Sequence, residues 1–161
     1  MSYETILFEI CEQVACITIN RPDAANSLNL KMAEELMDAS IRCDTDPEIR
    51  AVLLTAEGKM FCAGGDLNGF AKAGDDVAAL AKRMTTALHG AISRFARMQA
   101  PVVCAVNGMV AGGGMGLVLS ADFAIAAQSA RFTMAYTRAG LVPDGSSTYF
   151  LPRVVGLRRA A

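Results

Sequence analysis

Apolar and polar positions along this chain alternate at first, then recur at helical spacing, then gather into short apolar runs. Residues Ile6 to Ile10 and Val14 to Ile19 carry β-branched and apolar side chains on either side of the polar pair Glu12-Gln13. Two strands joined by a tight turn would show this pattern. From Leu30 to Ile41, the apolar residues Met32, Ala33, Leu36, Met37 and the pair Ser40-Ile41 fall at helical spacing behind the capping residue Asn29, and Pro47 closes the segment. A first helix is therefore expected after the hairpin. Ala51 to Ala56 reads as a short buried strand, Val77 to Met98 as a long helix ending before Pro101, and Val102 to Val106 as a further strand. Strand, helix and strand in succession are the unit of an α/β fold. An apolar helix over roughly Gly114 to Ser120, two short strands near Phe123 to Ala127 and Arg131 to Met134, and helical segments beyond Ser146 complete the pattern.

The chain has 161 residues, 53% of them hydrophobic, which suffices for one core. No repeat, linker or low-complexity tract divides it, so one domain spanning residues 1–161 is expected. Fifteen basic and sixteen acidic residues nearly cancel. No long-range field would draw such a protein to nucleic acid or to an anionic membrane, so an anionic ligand would have to be held locally. The N-terminus lacks a basic region, and the apolar stretch Met109 to Leu119 is interrupted by four glycines, which supports neither a signal peptide nor a membrane span. Cys11, Cys16, Cys43, Cys62 and Cys104 form no C-x-x-C pair, and four of the five lie in or beside apolar runs. They read as reduced thiols of a cytoplasmic protein, with no metal site among them.

The candidate chemistry lies in two glycine-rich turns. FCAGGDL, Phe61 to Leu67, places adjacent glycines where the backbone turns sharply after a strand; such a turn can aim an amide at a ligand. NGMVAGGGMG, Asn107 to Gly116, also follows a strand, and its three consecutive glycines lead into the apolar helix. Unpaired N–H groups at a helix start favour an oxyanion without any lysine or arginine. Neither turn has the G-x-x-x-x-G-K-[ST] or G-x-G-x-x-G spacing, which excludes nucleotide phosphate binding by these loops. Taken singly, either turn could serve only tight turning and close helix packing.

The order of NRPDAANSL (Asn20 to Leu28), FCAGGDL, APVVCAVNGMVAGGGMGLVLSADFAIA (Ala100 to Ala126) and ARFTMAYTRAGLVPDGSSTYFLPRVVGLRRA resembles the enoyl-CoA hydratase/isomerase (crotonase) superfamily over nearly the whole chain. The resemblance implies an α/β, crotonase-like ββα spiral fold whose C-terminal helical part is absent from this chain. It implies an acyl-CoA thioester as substrate, with coenzyme A arriving as part of that substrate and no separate cofactor, and a homotrimer or dimer of trimers. By the same resemblance Gly65 and Gly113 supply the two amides that grip the thioester carbonyl. Coenzyme A would lie along the turn Asp23 to Ala25 and along Ala63, Gly65, Asp66 and Leu67, with Gly112 and Gly113 at the thioester.

Family hydratases work through two glutamates, and the matching positions here hold Gly116 and Tyr136. Glycine moves no proton and a neutral tyrosine is a poor base near neutral pH, so two-carboxylate water addition is not expected. Asp144, in GLVPDGSS, stands where some family isomerases and a family aryl-CoA dehalogenase carry a catalytic aspartate. The preferred expectation is an enoyl-CoA isomerase of the Δ3/Δ2 type in which Asp144 alone shuttles the proton. The competing assignment for Asp144 is a helix N-cap. His89 matches the water-activating histidine of the dehalogenase, with Asp144 as nucleophile and Tyr136 in place of a tryptophan; otherwise it is an ordinary helix residue. A hydratase-type lyase and a non-catalytic acyl-CoA-binding fold are the other readings. The acyl pocket walls are expected from the segment Asn68 to Thr85 and from the family's C-terminal part, which this chain lacks.

Overall fold

A computed structural model describes residues 2–161. Glu12 and Gln13 both adopt positive φ, 48° and 68°, a two-residue reversal whose twist suits paired strands. Strands β1 (Ile6–Cys11) and β2 (Val14–Ile19) accordingly pair antiparallel from Cys11↔Val14 to Ile6↔Ile19. Helix α1 (Leu30–Thr45) begins at Asn29, whose side chain accepts the Met32 N–H at 2.8 Å, as expected of the cap. It runs four residues past Ile41, because Asp46 rather than Ile41 is the first to leave helical geometry ahead of Pro47.

Strand β3 (Ala51–Ala56) is followed by the short β4 (Met60–Cys62), then by helices α2 (Leu67–Ala73) and α3 (Val77–Phe95). Strand β5 (Val102–Val106) is followed by the short β6 (Met109–Ala111) and helix α4 (Gly113–Leu119). Strand β7 (Phe123–Ala126) is followed by the short β8 (Phe132–Thr133), and helices α5 (Ser147–Val155) and α6 (Leu157–Ala160) come last. The long strands form one sheet in the order β1-β2-β3-β5-β7, parallel from β2 onward, while the short ones form a second parallel sheet in the order β4-β6-β8.

This doubled arrangement positions the site. Each long strand from β3 onward is followed by a short strand of the second sheet, so three successive chain segments leave that sheet side by side. The turn after β4 carries Gly65, the turn after β6 carries Gly112 and Gly113, and the segment after β8 carries Tyr136. Asn26, fully buried, helps fix the first of these: its amide donates to the carbonyls of Glu57 and Met60, each at 2.7 Å.

Several boundaries differ from the sequence reading. Helix α3 stops at Phe95 rather than Met98, and α4 starts one residue earlier than Gly114, with Gly112 at φ 49° as its cap. Helix α2 and the strands β4 and β6 lie outside the sequence reading, a three-residue strand being too short for alternation to register, whereas β8 falls within the expected stretch Arg131 to Met134. The core is continuous between α1, α3 and the larger sheet, with Phe61, Phe95, Leu36, Leu54, Leu88 and Ile92 fully buried. Where α1 crosses α3, a Cβ at Gly90 would lie 2.8 Å from Met37 Sδ, so the glycine permits the close approach. Among the described residues no helix is long and apolar enough to cross a membrane.

Candidate active site

Leu28 organises the first glycine turn. Its N–H donates to Gly64 O at 2.7 Å and its carbonyl accepts the Asp66 N–H at 2.8 Å, a strand-like bridge centred on Gly65. In such a bridge the central residue's own N–H faces away from the partner. Among the described residues the Gly65 N–H donates to no acceptor. The Gly113 N–H, in the first turn of α4, likewise has none, nor has that of Gly114, while Gly112 N–H donates to Thr133 O at 3.1 Å and Met115 N–H to Gly112 O at 2.9 Å. Both glycines line one cavity of about 200 Å³.

The cavity wall is mostly apolar. Leu28, Phe70, Met84 and Leu88 form one side; Ala135, Leu141 and Val142 form another. Met84 and Leu88 are four apart on α3 and so share a face. Phe70, Ala81, Met84 and Thr85 belong to the segment expected to shape the pocket. Leu28, Leu88, Leu141 and Val142 were not foreseen, because the sequence marks them only as apolar.

Asp144 is the one acidic side chain lining the cavity among the described residues. Tyr136 Oη donates to its Oδ1 at 2.7 Å, and His89 Nε2 lies 3.3 Å from its Oδ2. The same His89 Nε2 accepts the Gly145 N–H at 3.2 Å. Three residues far apart in sequence thus meet at one carboxylate. Tyr136 is buried, and that burial, reinforced by its bond to the Asp144 carboxylate and by the carboxylate's charge, pushes the phenol far above its ordinary 10. It is held as a neutral donor.

The capping assignment for Asp144 does not hold. Helix α5 begins at Ser147 with Ser146 in the cap position, and no side chain caps it; the Asp144 carboxylate faces Tyr136 and His89 instead of the helix amides. His89 touches Asp144 without lining the cavity.

Among the residues expected to hold substrate, Ala63, Gly65, Leu67, Gly112 and Gly113 line the cavity. Asp23, Ala25 and Asp66 do not. Asp23 lies on a one-turn helix over Pro22–Ala24, and Ala25 O accepts the Ala63 N–H at 3.1 Å, tying that turn to the first glycine loop. Asp66 is engaged structurally: its carboxylate pairs with Arg21 at 3.1 Å and accepts the Gly69 N–H at 3.0 Å, capping α2. Burial alone would raise its pKa, but the Gly69 amide and the Arg21 guanidinium outweigh that and hold it below the usual carboxylate value.

Residues 9–161 match the enoyl-CoA hydratase/isomerase family, and the chain belongs to that family. A Rhodobacter capsulatus protein named as a probable enoyl-CoA hydratase is 45% identical over 160 residues, 99% of this chain and 60% of its own length. The 1,2-epoxyphenylacetyl-CoA isomerase of Escherichia coli is 40% identical over 161 residues, 98% of this chain and 60% of that protein. The 4-chlorobenzoyl coenzyme A dehalogenase-2 of an Arthrobacter species is 33% identical over 156 residues, 96% of this chain and 56% of that protein. An enoyl-CoA hydratase from Polaromonas, solved crystallographically, superposes with a TM-score of 0.88 at 32% identity, covering 96% of this chain and 60% of that one. The fold is that of the crotonase proteins, and the chain spans about 60% of the length of these relatives.

Proposed function

We infer that this chain carries the thioester-binding and proton-transfer groups of an enoyl-CoA isomerase. A 3-enoyl-CoA would enter with its thioester carbonyl between the Gly65 and Gly113 amides. Asp144 would take a proton from the carbon between the thioester and the double bond, leaving a dienolate whose oxygen the two N–H groups hold. The resulting carboxylic acid would return the proton at the far end of the conjugated system, giving the 2-enoyl-CoA and restoring the carboxylate. No group other than coenzyme A, which arrives on the substrate, enters this scheme. The observation that carries the reading is a lone carboxylate lining the same cavity as two amides without acceptors. Two-carboxylate hydration is disfavoured, since Gly116 has no side chain and Tyr136 is held protonated. The test is Asp144→Asn in the full-length protein with a 3-enoyl-CoA as substrate. Turnover should fall ~10²- to 10⁴-fold with acyl-CoA binding retained; an undiminished rate would remove Asp144 as the base.

One contact favours a second reading, aryl-CoA dehalogenation. His89 Nε2, 3.3 Å from Asp144 Oδ2, is near enough to activate water against an ester formed when Asp144 displaces halide from the ring. It ranks second because the same nitrogen accepts the Gly145 N–H and the imidazole does not line the cavity. His89→Gln incubated with a 4-halobenzoyl-CoA should then accumulate an aryl ester on Asp144, visible by intact mass. Neither adduct nor released halide would discard this reading.

A further inference from the structure

The segment that presents Asp144 rests directly on helix α4 at Gly116. A Cβ built on Gly116 would lie 2.7 Å from Gly145 O and 2.8 Å from Ile92 Cδ1, both inside the separations that real side chains show. The two neighbours differ in kind. Ile92 Cδ1 ends a flexible side chain and can rotate aside, whereas Gly145 O is backbone and moves only if the whole turn moves. That turn is sharply bent: Gly145 and Ser146 both take left-handed φ, 58° and 59°. Asp144 immediately precedes the bend, with its carboxylate between Tyr136 and His89, and the Gly145 N–H reaches His89 Nε2 at 3.2 Å.

We propose that Gly116 is a positioning residue that selects the reaction: lacking a side chain, it lets the Asp144-Gly145 turn seat on α4, and any larger residue there expels the carboxylate from the cavity. The proposal rests on the reading of Asp144 as the proton-carrying group. It follows that in this chain a side chain at position 116 of α4 and a carboxylate seated at 144 exclude each other. Glutamate at 116 would therefore not add a second carboxylate for hydration; it would remove the first.

The experiment uses the full-length protein and compares Gly116→Ala, Asp144→Asn, their double variant, and Gly116→Ala combined with Ile92→Val. Gly116→Ala should lower kcat for isomerisation by at least ~10², with KM and the affinity for a nonhydrolysable acyl-CoA thioether within about threefold of the starting protein. In the Asp144→Asn background the same change should do almost nothing further, because the group it displaces is already gone. Trimming Ile92 should not rescue it. The ring resonances of His89, assigned with His89→Gln, should move in Gly116→Ala as they do in Asp144→Asn. If Gly116→Ala does not fold, Gly145→Ala strains the same turn through its left-handed φ of 58°, its Cβ clearing Gly116 Cα at 3.8 Å, and should give the same loss of kcat and the same His89 shift. Full activity in Gly116→Ala, unmoved His89 resonances, additive losses in the double variant or rescue by Ile92→Val would each overturn the proposal. An Asp144→Asn protein that retains full activity would instead sink the isomerase reading, and the His89 resonances would still decide whether Gly116 seats the turn.

Discussion

Tyr136 Oη donates to Asp144 Oδ1 at 2.7 Å, and a phenol held protonated by burial can do nothing else for that carboxylate. Hydrogen bonds to charged groups are worth about 1.5–3 kcal/mol; the Asp144 side chain is 32% exposed, so solvent screening places this one toward the lower end. Tyr136→Phe should therefore lower kcat roughly tenfold and leave KM nearly unchanged, since the ring still fills the wall and only the grip on the carboxylate is lost. Steady-state kinetics decide it: an equal rise in KM with unchanged kcat would mean the hydroxyl contacts substrate rather than Asp144. Asp144 stood out in the sequence only through the family resemblance, as the aspartate of GLVPDGSS at a position where some family members carry a catalytic one. The arrangement around it was not legible, because Tyr136 and His89 meet it only through tertiary folding, eight and fifty-five residues away in the chain.

At the scale of elements, periodicity carried most of the fold. The hairpin, α1, β3, α3 and β5 lie close to where alternation and helical spacing put them, since each is long enough to show its period. Of the second sheet only β8 was legible, inside the stretch Arg131 to Met134; β4 and β6 escaped because each has only three residues, yet these strands align the three site segments. Another element-level device is invisible to pattern reading. Glu35, a polar residue within α1, is 5% exposed and accepts the Glu4 and Thr5 N–H groups, each at 2.8 Å, together with the Thr5 hydroxyl and a longer contact from Lys31. Burial pushes its pKa up, but these donors together outweigh it and leave the carboxyl below its ordinary value. Glu35 thus fastens the start of β1 to α1. Glu35→Ala should lose about 1–3 kcal/mol, because the buried Thr5 amide and hydroxyl would be left without a partner. Urea unfolding measures this, and a change below a few tenths of a kcal/mol would show that water replaces the carboxylate.

Over the whole molecule, the buried thiols set how the fold responds to alkali. Burial pushes Cys62 up to about 11 and Cys43 and Cys104 up to about 12, from an ordinary 9.0. All three are nearly or fully inaccessible, and among the described residues no cysteine is in a disulfide. Below pH 9 both the folded and unfolded chains keep these protons, so the thiols behave as small apolar groups and their full contribution is present. As pH rises past 9 the unfolded chain releases protons that the native chain retains, so stability falls until the folded values near 11 to 12 are reached. Each such thiol adds up to about 1.4 kcal/mol of loss per pH unit in that window. Tyr136, also raised by burial, adds to the slope above its ordinary 10. Urea midpoints should therefore change little between pH 7 and 8.5 and drop progressively from about pH 9 to pH 11. Lysines and surface tyrosines titrate in the same range, so the discriminating comparison is Cys104→Ala. That variant starts less stable by the cost of a small cavity, but its stability should decline less steeply with pH by one thiol's share. Parallel slopes in the two proteins would mean that Cys104 ionises as readily in the native state as in the unfolded one, and that the interior around β5 admits water.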